Sequence, residues 1–119
     1  MAVMEATEGI HMSRVRLRRK YEALGLITRG HALDRLGRAR EAIADVRDGV
    51  AMARRVEDPA LLLHALDALL ALDGNDELAV EARALSDRIV VALPDETMRR
   101  RFTESDAVQR IRRASWASS

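Results

Sequence analysis

A chain of 119 residues with 20 Lys and Arg, 19 Asp and Glu and a formal charge of +1 has the length of a single ordinary domain, which leaves no room for a two-domain enzyme. Its near-neutral balance carries no global excess that would advertise nucleic acid, a membrane surface or an acidic substrate. Cysteine is absent, which excludes disulfides, thiolate nucleophiles and Cys-ligated metals, and 48% hydrophobic residues with only 3% aromatics require a core of Leu, Ala, Val and Ile, a mixture that favours helix.

Residues 1–13, MAVMEATEGIHMS, show no sustained periodicity and are expected to be a leader. His11-Met12 leaves two sources open for it, a cloning-site remnant or a natural disordered end. From Arg14 the pattern is helical, with Val15, Leu17, Tyr21, Leu24 and Ile27 predicted to share a broad apolar face that Leu33 and Leu36 extend to Gly37. Gly37 is the expected stop, because glycine accepts the left-handed conformation that commonly ends a helix. A second helix from about Arg38 carries Ala39, Ile43, Val46, Val50 and Ala53, with Glu41, Asp45 and Asp48 on other faces. Asp58-Pro59 then offers an N-cap acceptor followed by a proline in the first helical position.

The third helix, Ala60 to Leu72, is apolar nearly all round and must be covered on most sides. It ends at Asp73-Gly74-Asn75-Asp76, a helix-to-helix turn. Leu78, Ala82, Leu85, Ile89 and Ala92 mark a fourth helix that Pro94 stops. A short helix from about Asp95, anchored by Phe102, precedes a last turn or two at Val108 and Ile111, and residues 114–119 read as a flexible tail. Residues 14–113 therefore form one all-α domain.

At an offset of 39 residues, Ala39, Ile43, Val46, Val50 and Ala53 fall on Leu78, Ala82, Leu85, Ile89 and Ala92, and Leu26, Gly30 and Leu33 fall on Ala65, Leu69 and Leu72. Two helix-turn-helix units in tandem are the expectation, since periods of this size signal helical arrays. In the first unit, Leu26, Gly30, Leu33, Gly37, Ala42 and Val46 within and around RGHALDRLGRAREAI resemble the small and large positions of the tetratricopeptide repeat. That resemblance implies close helix approach at Gly30 and Ala42 and a chain reversal at Gly37. In the second unit Leu69 replaces the small residue and only Ala82 keeps the small character.

The wider run from Tyr21 to Phe102, including ARRVEDPALLLHALDALLALDG and ALPDETMRRRF, is similar to the C-terminal tetratricopeptide-like region of large bacterial signalling ATPases and transcription regulators. The resemblance implies an interaction or sensing scaffold, a protein or peptide partner or a homo-oligomer, and no catalytic residue. RRKYEALGLI is also similar to a segment of the MerR-type DNA-binding domain. There it follows a helix-turn-helix and precedes a wing, whereas here the preceding residues are irregular and TRGHALDRLG reads as helix.

Chemistry finds little purchase. His11, His31 and His64 lack metal-ligand spacing, and Asp73, Asn75 and Glu77 lack the glycine and distal Glu of a calcium loop. Glu41, Asp45 and Asp48 stand among Arg38, Arg40, Arg47 and Arg54 and read as a solvated, salt-bridged face. His64 reads as a core or groove-edge histidine. There is no Gly-rich phosphate loop, nucleophile elbow or Cys–His pair, so no catalytic, cofactor-binding or metal residue is assigned. Arg14, Arg16, Arg18, Arg19 and Lys20, and the later Arg99, Arg100, Arg101, Arg110, Arg112 and Arg113, could neutralise phosphates, which makes a small nucleic-acid-binding transcriptional regulator the alternative function, although stacking aromatics are nearly absent.

No apolar run approaches the roughly 18 residues that span a bilayer, and no signal-peptide pattern opens the chain. A cytoplasmic location without membrane contact is expected. Val15, Leu17, Tyr21 and Leu24, which open the array, form the expected interface. The far-ultraviolet circular dichroism spectrum should be dominated by helix; a strand-dominated spectrum would overturn both the fold class and the repeat.

Overall fold

The computed structural model describes residues 2–113, with side chains placed from Arg14 onward. Six helices follow one another: α1 (Ala2–Arg35), α2 (Ala39–Val56), α3 (Pro59–Asp73), α4 (Asp76–Ala92), α5 (Glu96–Glu104) and α6 (Asp106–Arg113). No strand occurs among the described residues. The molecule is elongated, 59 × 38 × 21 Å.

The connections are built by the residues that punctuate them. Gly37 takes φ +77°, its N–H donates to the Asp34 carbonyl at 3.0 Å and the Arg38 N–H to the Leu33 carbonyl at 2.9 Å. This pair of bonds closes the end of α1 as a Schellman motif. Glu57 makes the next reversal with φ 60°, a left-handed conformation that glycine adopts more easily. Asp58 accepts from Leu61 N–H at 3.1 Å with Pro59 opening α3, and Asn75 accepts from Leu78 N–H at 3.0 Å. Gly74 stands at the end of α3 in an extended conformation, φ −73°. Asp95 caps α5 by accepting from Thr97 N–H at 2.6 Å.

Two sequence expectations about boundaries change. The helix predicted from Arg14 begins at Ala2 and runs through the segment expected to be an irregular leader, a stretch of Ala, Met and Glu with good helix propensity. At the other end, the expected last turn is a separate helix: the chain breaks at Ser105 and α6 places Val108 and Ile111 in the core at 0% and 1% exposure. Their signal is weak in the sequence because only two large apolar residues stand among three arginines. Residues 114–119, expected to be a tail, lie outside the described residues.

Each helix packs chiefly on its neighbour in sequence, α1 also touches α3, and α6 returns onto α3 and α4. The seam between α1 and α2 holds Ala23, Ile27 and Gly30 against Ala42, Val46, Gly49 and Ala53, all buried. A Cβ on Gly30 would stand 2.5 Å from Val46 Cγ2 and 3.2 Å from the Ala42 carbonyl oxygen, and one on Gly49 3.1 Å from Ile27 Cγ1. The two backbones therefore approach at glycine. Leu36, expected to extend the apolar face, lies in the turn and is 71% exposed.

The predicted equivalence of α2 and α4 is carried in part. Val46 and Leu85 are both buried, and half-buried Ile43 corresponds to buried Ala82. Ala53, however, is buried where Ala92 is exposed, and exposed Ala39 corresponds to half-buried Leu78. The two helices meet their partners in different phases, because Leu69 stands in α3 where Gly30 stands in α1. Ser86, facing inward on α4 at 2% exposure, leaves its Oγ without a hydrogen-bond partner.

Gly30 and Gly25 give an internal comparison. Gly30→Ala should destabilise the protein by about 1 kcal/mol and Gly30→Leu by about 1–3 kcal/mol, because Val46 is stiff at χ1 and the other contact is backbone. A Cβ on Gly25 meets nothing within 4 Å, so Gly25→Ala should stabilise by about 0.5–1 kcal/mol through helix propensity. Thermal melts of the variants check the opposite signs.

Candidate functional site

Two surfaces gather the residues singled out in the sequence. The first is the outer part of α1. Leu17 and Tyr21 are exposed, at 51% and 64%, while Val15 and Leu24 are half-buried and Leu24 packs against the core. The four do not share one face as expected: residues two apart on a helix point to opposite sides, so Val15 diverges from Leu17. Leu17, Tyr21 and Leu24, at spacings of four and three, remain as a strip. Beside it, Arg16, Leu17, Lys20, Val56, Asp58 and Pro59 line a shallow open groove of about 410 Å³.

The basic cluster at the same place is spread around the helix. Arg16 Nη2 donates to the Val56 carbonyl at 3.2 Å, satisfying the last turn of α2, and Lys20 Nζ lies 3.6 Å from Asp58. Both tie α1 to the α2–α3 turn. Arg14, Arg18 and Arg19 are exposed; Arg14 and Arg18, four residues apart, share one side of α1, and Arg19 turns about 100° away from it. Among the later arginines, Arg99 donates to the Leu93 carbonyl and Arg110 forms a two-bond pair with Asp67 at 2.7 and 3.2 Å. That hydrogen bonding holds the Arg110 guanidinium above its ordinary pKa against the opposing effect of burial.

The second surface is the open strip of α3. After the opening Pro59, the exposed residues of this helix are Ala60, His64 and Ala71, and with half-buried Asp67 they recur at spacings of four, three and four along one side. His64 is therefore a surface residue of a strip whose border is the Asp67–Arg110 contact with α6. The remaining faces of α3 are covered, as its composition requires.

The packing residues expected from the sequence lie on the α1–α2 seam and beyond it. Gly30, Ala42 and Val46 are buried in contact, Leu26 and Leu33 are half-buried beside them, Gly37 makes the turn, and Ala82 is fully buried on α4. Gly49 was not singled out; its signal is that Ala42 and Gly49, like Ala23 and Gly30, are seven residues apart, which repeats a small residue after two turns.

Asp45 departs from the solvated face expected of it. It is buried at 8% exposure, and Arg29 of α1 donates to both of its carboxylate oxygens, Nε to Oδ2 at 2.6 Å and Nη2 to Oδ1 at 2.8 Å. These hydrogen bonds hold the Asp45 carboxyl below its ordinary pKa, with desolvation opposing and the charge of Arg29 assisting. Glu41 keeps a local partner, Arg38, at 2.5 Å. Among the described residues no group of three or more His, Asp or Glu side chains is placed to hold a metal ion, and no helix is long and apolar enough to cross a membrane.

Comparison with protein-family models, with curated proteins and with solved structures finds no match to this chain.

The Arg29–Asp45 pair sets a pH dependence. With the folded pKa of Asp45 lowered, its contribution to stability is present above the ordinary carboxylate range and is lost as pH falls from about 4 through the folded value. Asp45→Asn should thus lower the melting temperature at neutral pH and flatten its fall on acidification. Arg29→Met should do the same. Melts from neutral to acid pH check this, and an acid limb unchanged in both variants would remove the pair as its source.

Proposed function

We propose that this chain is a non-enzymatic protein-interaction scaffold of tetratricopeptide-like type, with α1–α2 and α3–α4 as tandem helical hairpins and the open strip of α3 as the surface that receives a protein or peptide segment. The observation that carries the reading is the close approach at Gly30, whose absent Cβ leaves room for Val46 and the Ala42 backbone. The resemblance assigns small residues to those same places.

The way the units meet supports it further. First helices touch, α1 against α3, while α2 and α4 are linked only by the reach of long side chains, Arg54 to Glu81 at 2.8 Å. Arg47 of α2 also pairs with Asp73 at the end of α3. Stacking of this kind leaves one side of each first helix open, and such arrays use that side for binding. α6, packed on α3 and α4, stands where the first helix of a following unit would. The kinship this suggests is with the repeat regions of bacterial regulators, in which the repeats recognise and other parts act.

The test is affinity capture from the source organism with the wild-type chain and with the double variant His64→Glu, Ala71→Glu. Both positions are exposed, so helicity and melting temperature should be kept while protein partners held by the wild type are lost. Retention of every partner by the variant, or capture only of nuclease-sensitive material, would overturn the proposal.

A further inference from the structure

The pair formed by α1 and α2 has two sides. On one, Leu24 packs against the core and Lys20 meets Asp58 just before α3, and α3 covers that side by touching both members of the pair. Glu22, Leu26, Arg29 and Leu33 succeed one another along α1 at spacings of four, three and four and point away from it. Helix α1 touches no helix besides α2 and α3, so on this second side its seam with α2 stays open.

Two shallow grooves, of about 360 and 370 Å³, lie along the open seam. The first is lined by Gly25, Leu26 and Met52 with Glu22, the second by Leu33 and Ala44 with Glu41, and Arg29 lines both. The first has room to spare, since a Cβ on Gly25 would meet nothing within 4 Å. Leu26 and Leu33 stand roughly 10 Å apart along α1. That interval is two turns, which also returns the side chains of a third helix laid along the seam to one face.

Between the grooves stands the Arg29–Asp45 pair. Arg29 donates to both carboxylate oxygens at 2.6 and 2.8 Å, yet its side chain is 66% exposed. Both bonds lie in the plane of the guanidinium, which leaves its flat faces for a partner, and such a face takes an aromatic ring. The guanidinium is held above its ordinary pKa first by this hydrogen bonding, then by the charge of Asp45 and, after the opposing desolvation, by that of Asp48. Exposed Asp48 therefore stands close by.

Charge selects the occupant. The carboxylates Glu22, Glu41 and Asp45 line the grooves against the single guanidinium of Arg29. Asp45 is matched by Arg29 and Glu41 by Arg38, whereas Glu22 and Asp48 have no ion-pair partner among the described residues. Such a rim repels phosphates and acidic segments and attracts a basic one.

We propose that this seam is a second docking groove, receiving an amphipathic helix of a partner protein that carries two large apolar side chains two turns apart, an aromatic ring between them and Lys or Arg beside them. The apolar pair enters the grooves at Leu26 and Leu33, the ring stacks on Arg29, and the basic residues meet Glu22 and Asp48. The inference goes beyond the scaffold reading, because it uses neither the repeat nor the strip of α3.

The probe is a fluorescently labelled synthetic helix of about four turns, with Leu, Trp and Leu at positions i, i+3 and i+7 and Lys beside them, titrated with the full chain and read by anisotropy. The wild type should bind it, less tightly as salt rises. A probe with Ala in place of Trp should bind about tenfold more weakly, and one with Glu in place of Lys not measurably. Gly25→Phe fills the first groove at a position where losing glycine favours the helix, so it should keep the melting temperature and weaken binding by about tenfold or more. Arg29→Lys keeps the charge without the flat face and should bind the Trp and Ala probes alike, which a loss of stability alone would not produce. The double variant His64→Glu, Ala71→Glu should bind as the wild type does, so failure of the α3 strip is told apart from failure of this groove. No binding, equal binding of the Lys and Glu probes, indifference to Gly25→Phe, or discrimination kept in Arg29→Lys would each overturn the proposal. So would self-association of the chain that Gly25→Phe abolishes, since a second copy would then be the occupant.

Discussion

The distance between α1 and α2 at Gly30 and Gly49 is the constraint on which the remaining packing depends. A Cβ on residue 30 would stand 2.5 Å from Val46 Cγ2 and 3.2 Å from the Ala42 carbonyl oxygen, so a side chain there requires Val46 or the helices to shift, and one on residue 49 would crowd Ile27 Cγ1 at 3.1 Å. The seam then closes over residues as small as Ala23, Ala42 and Ala53, all at 0% exposure. Val50 and half-buried Ile43 belong with the same core cluster that buries the apolar body of α3. In a chain with 3% aromatics, whose buried core contains no aromatic ring among the described residues, close backbone approach takes the place of side-chain bulk.

The charged residues do a different job. Arg16, Arg29, Arg47, Arg54 and Arg110 each join one helix to another or to the turn beyond it, and Arg83 donates to the Ile111 carbonyl at 3.3 Å. Pairs this exposed contribute little stability individually. Their effect is to fix which helix lies beside which, and arginine suits this because its planar fork binds a carboxylate through two bonds, as at Asp45 and Asp67. The same use occupies part of the charge of a chain with 20 basic residues: in the N-terminal cluster, Arg16 and Lys20 are turned onto a carbonyl and a carboxylate.

Among the described residues, this arrangement leaves open shallow grooves and exposed strips. The grooves along α1 are shallow, and the strip of α3 presents Ala60, His64 and Ala71, small or polar residues that admit another chain closely without demanding a deep pocket. A fold assembled from neighbour-on-neighbour contacts exposes surface along its length.

Much of the fold was legible in the chain because helix ends are local chemistry. Gly37, Asp58-Pro59, Asn75 and Pro94 act on backbone groups within a few residues of themselves, so they mark the ends of α1 and α2, α3 and α4 wherever the helices go. Gly30 and Ala42 were legible for a related reason: a small residue in an otherwise large-sided helix signals close approach, even though it does not say to what. The start of α1, the burial of Asp45 and the place of α6 were not legible. Whether a polar residue faces water or a partner depends on a residue far along the chain, as Asp45 depends on Arg29 and Val108 and Ile111 on α3 and α4. The sequence by itself determined where α1 to α4 stop and that α3 must be covered on most sides, since both follow from nearest-neighbour sterics and periodicity. Only the tertiary structure decided which face meets which, because the contacts of Arg29, Arg54 and Arg110 span 16, 27 and 43 residues, distances at which periodicity within one helix carries no information.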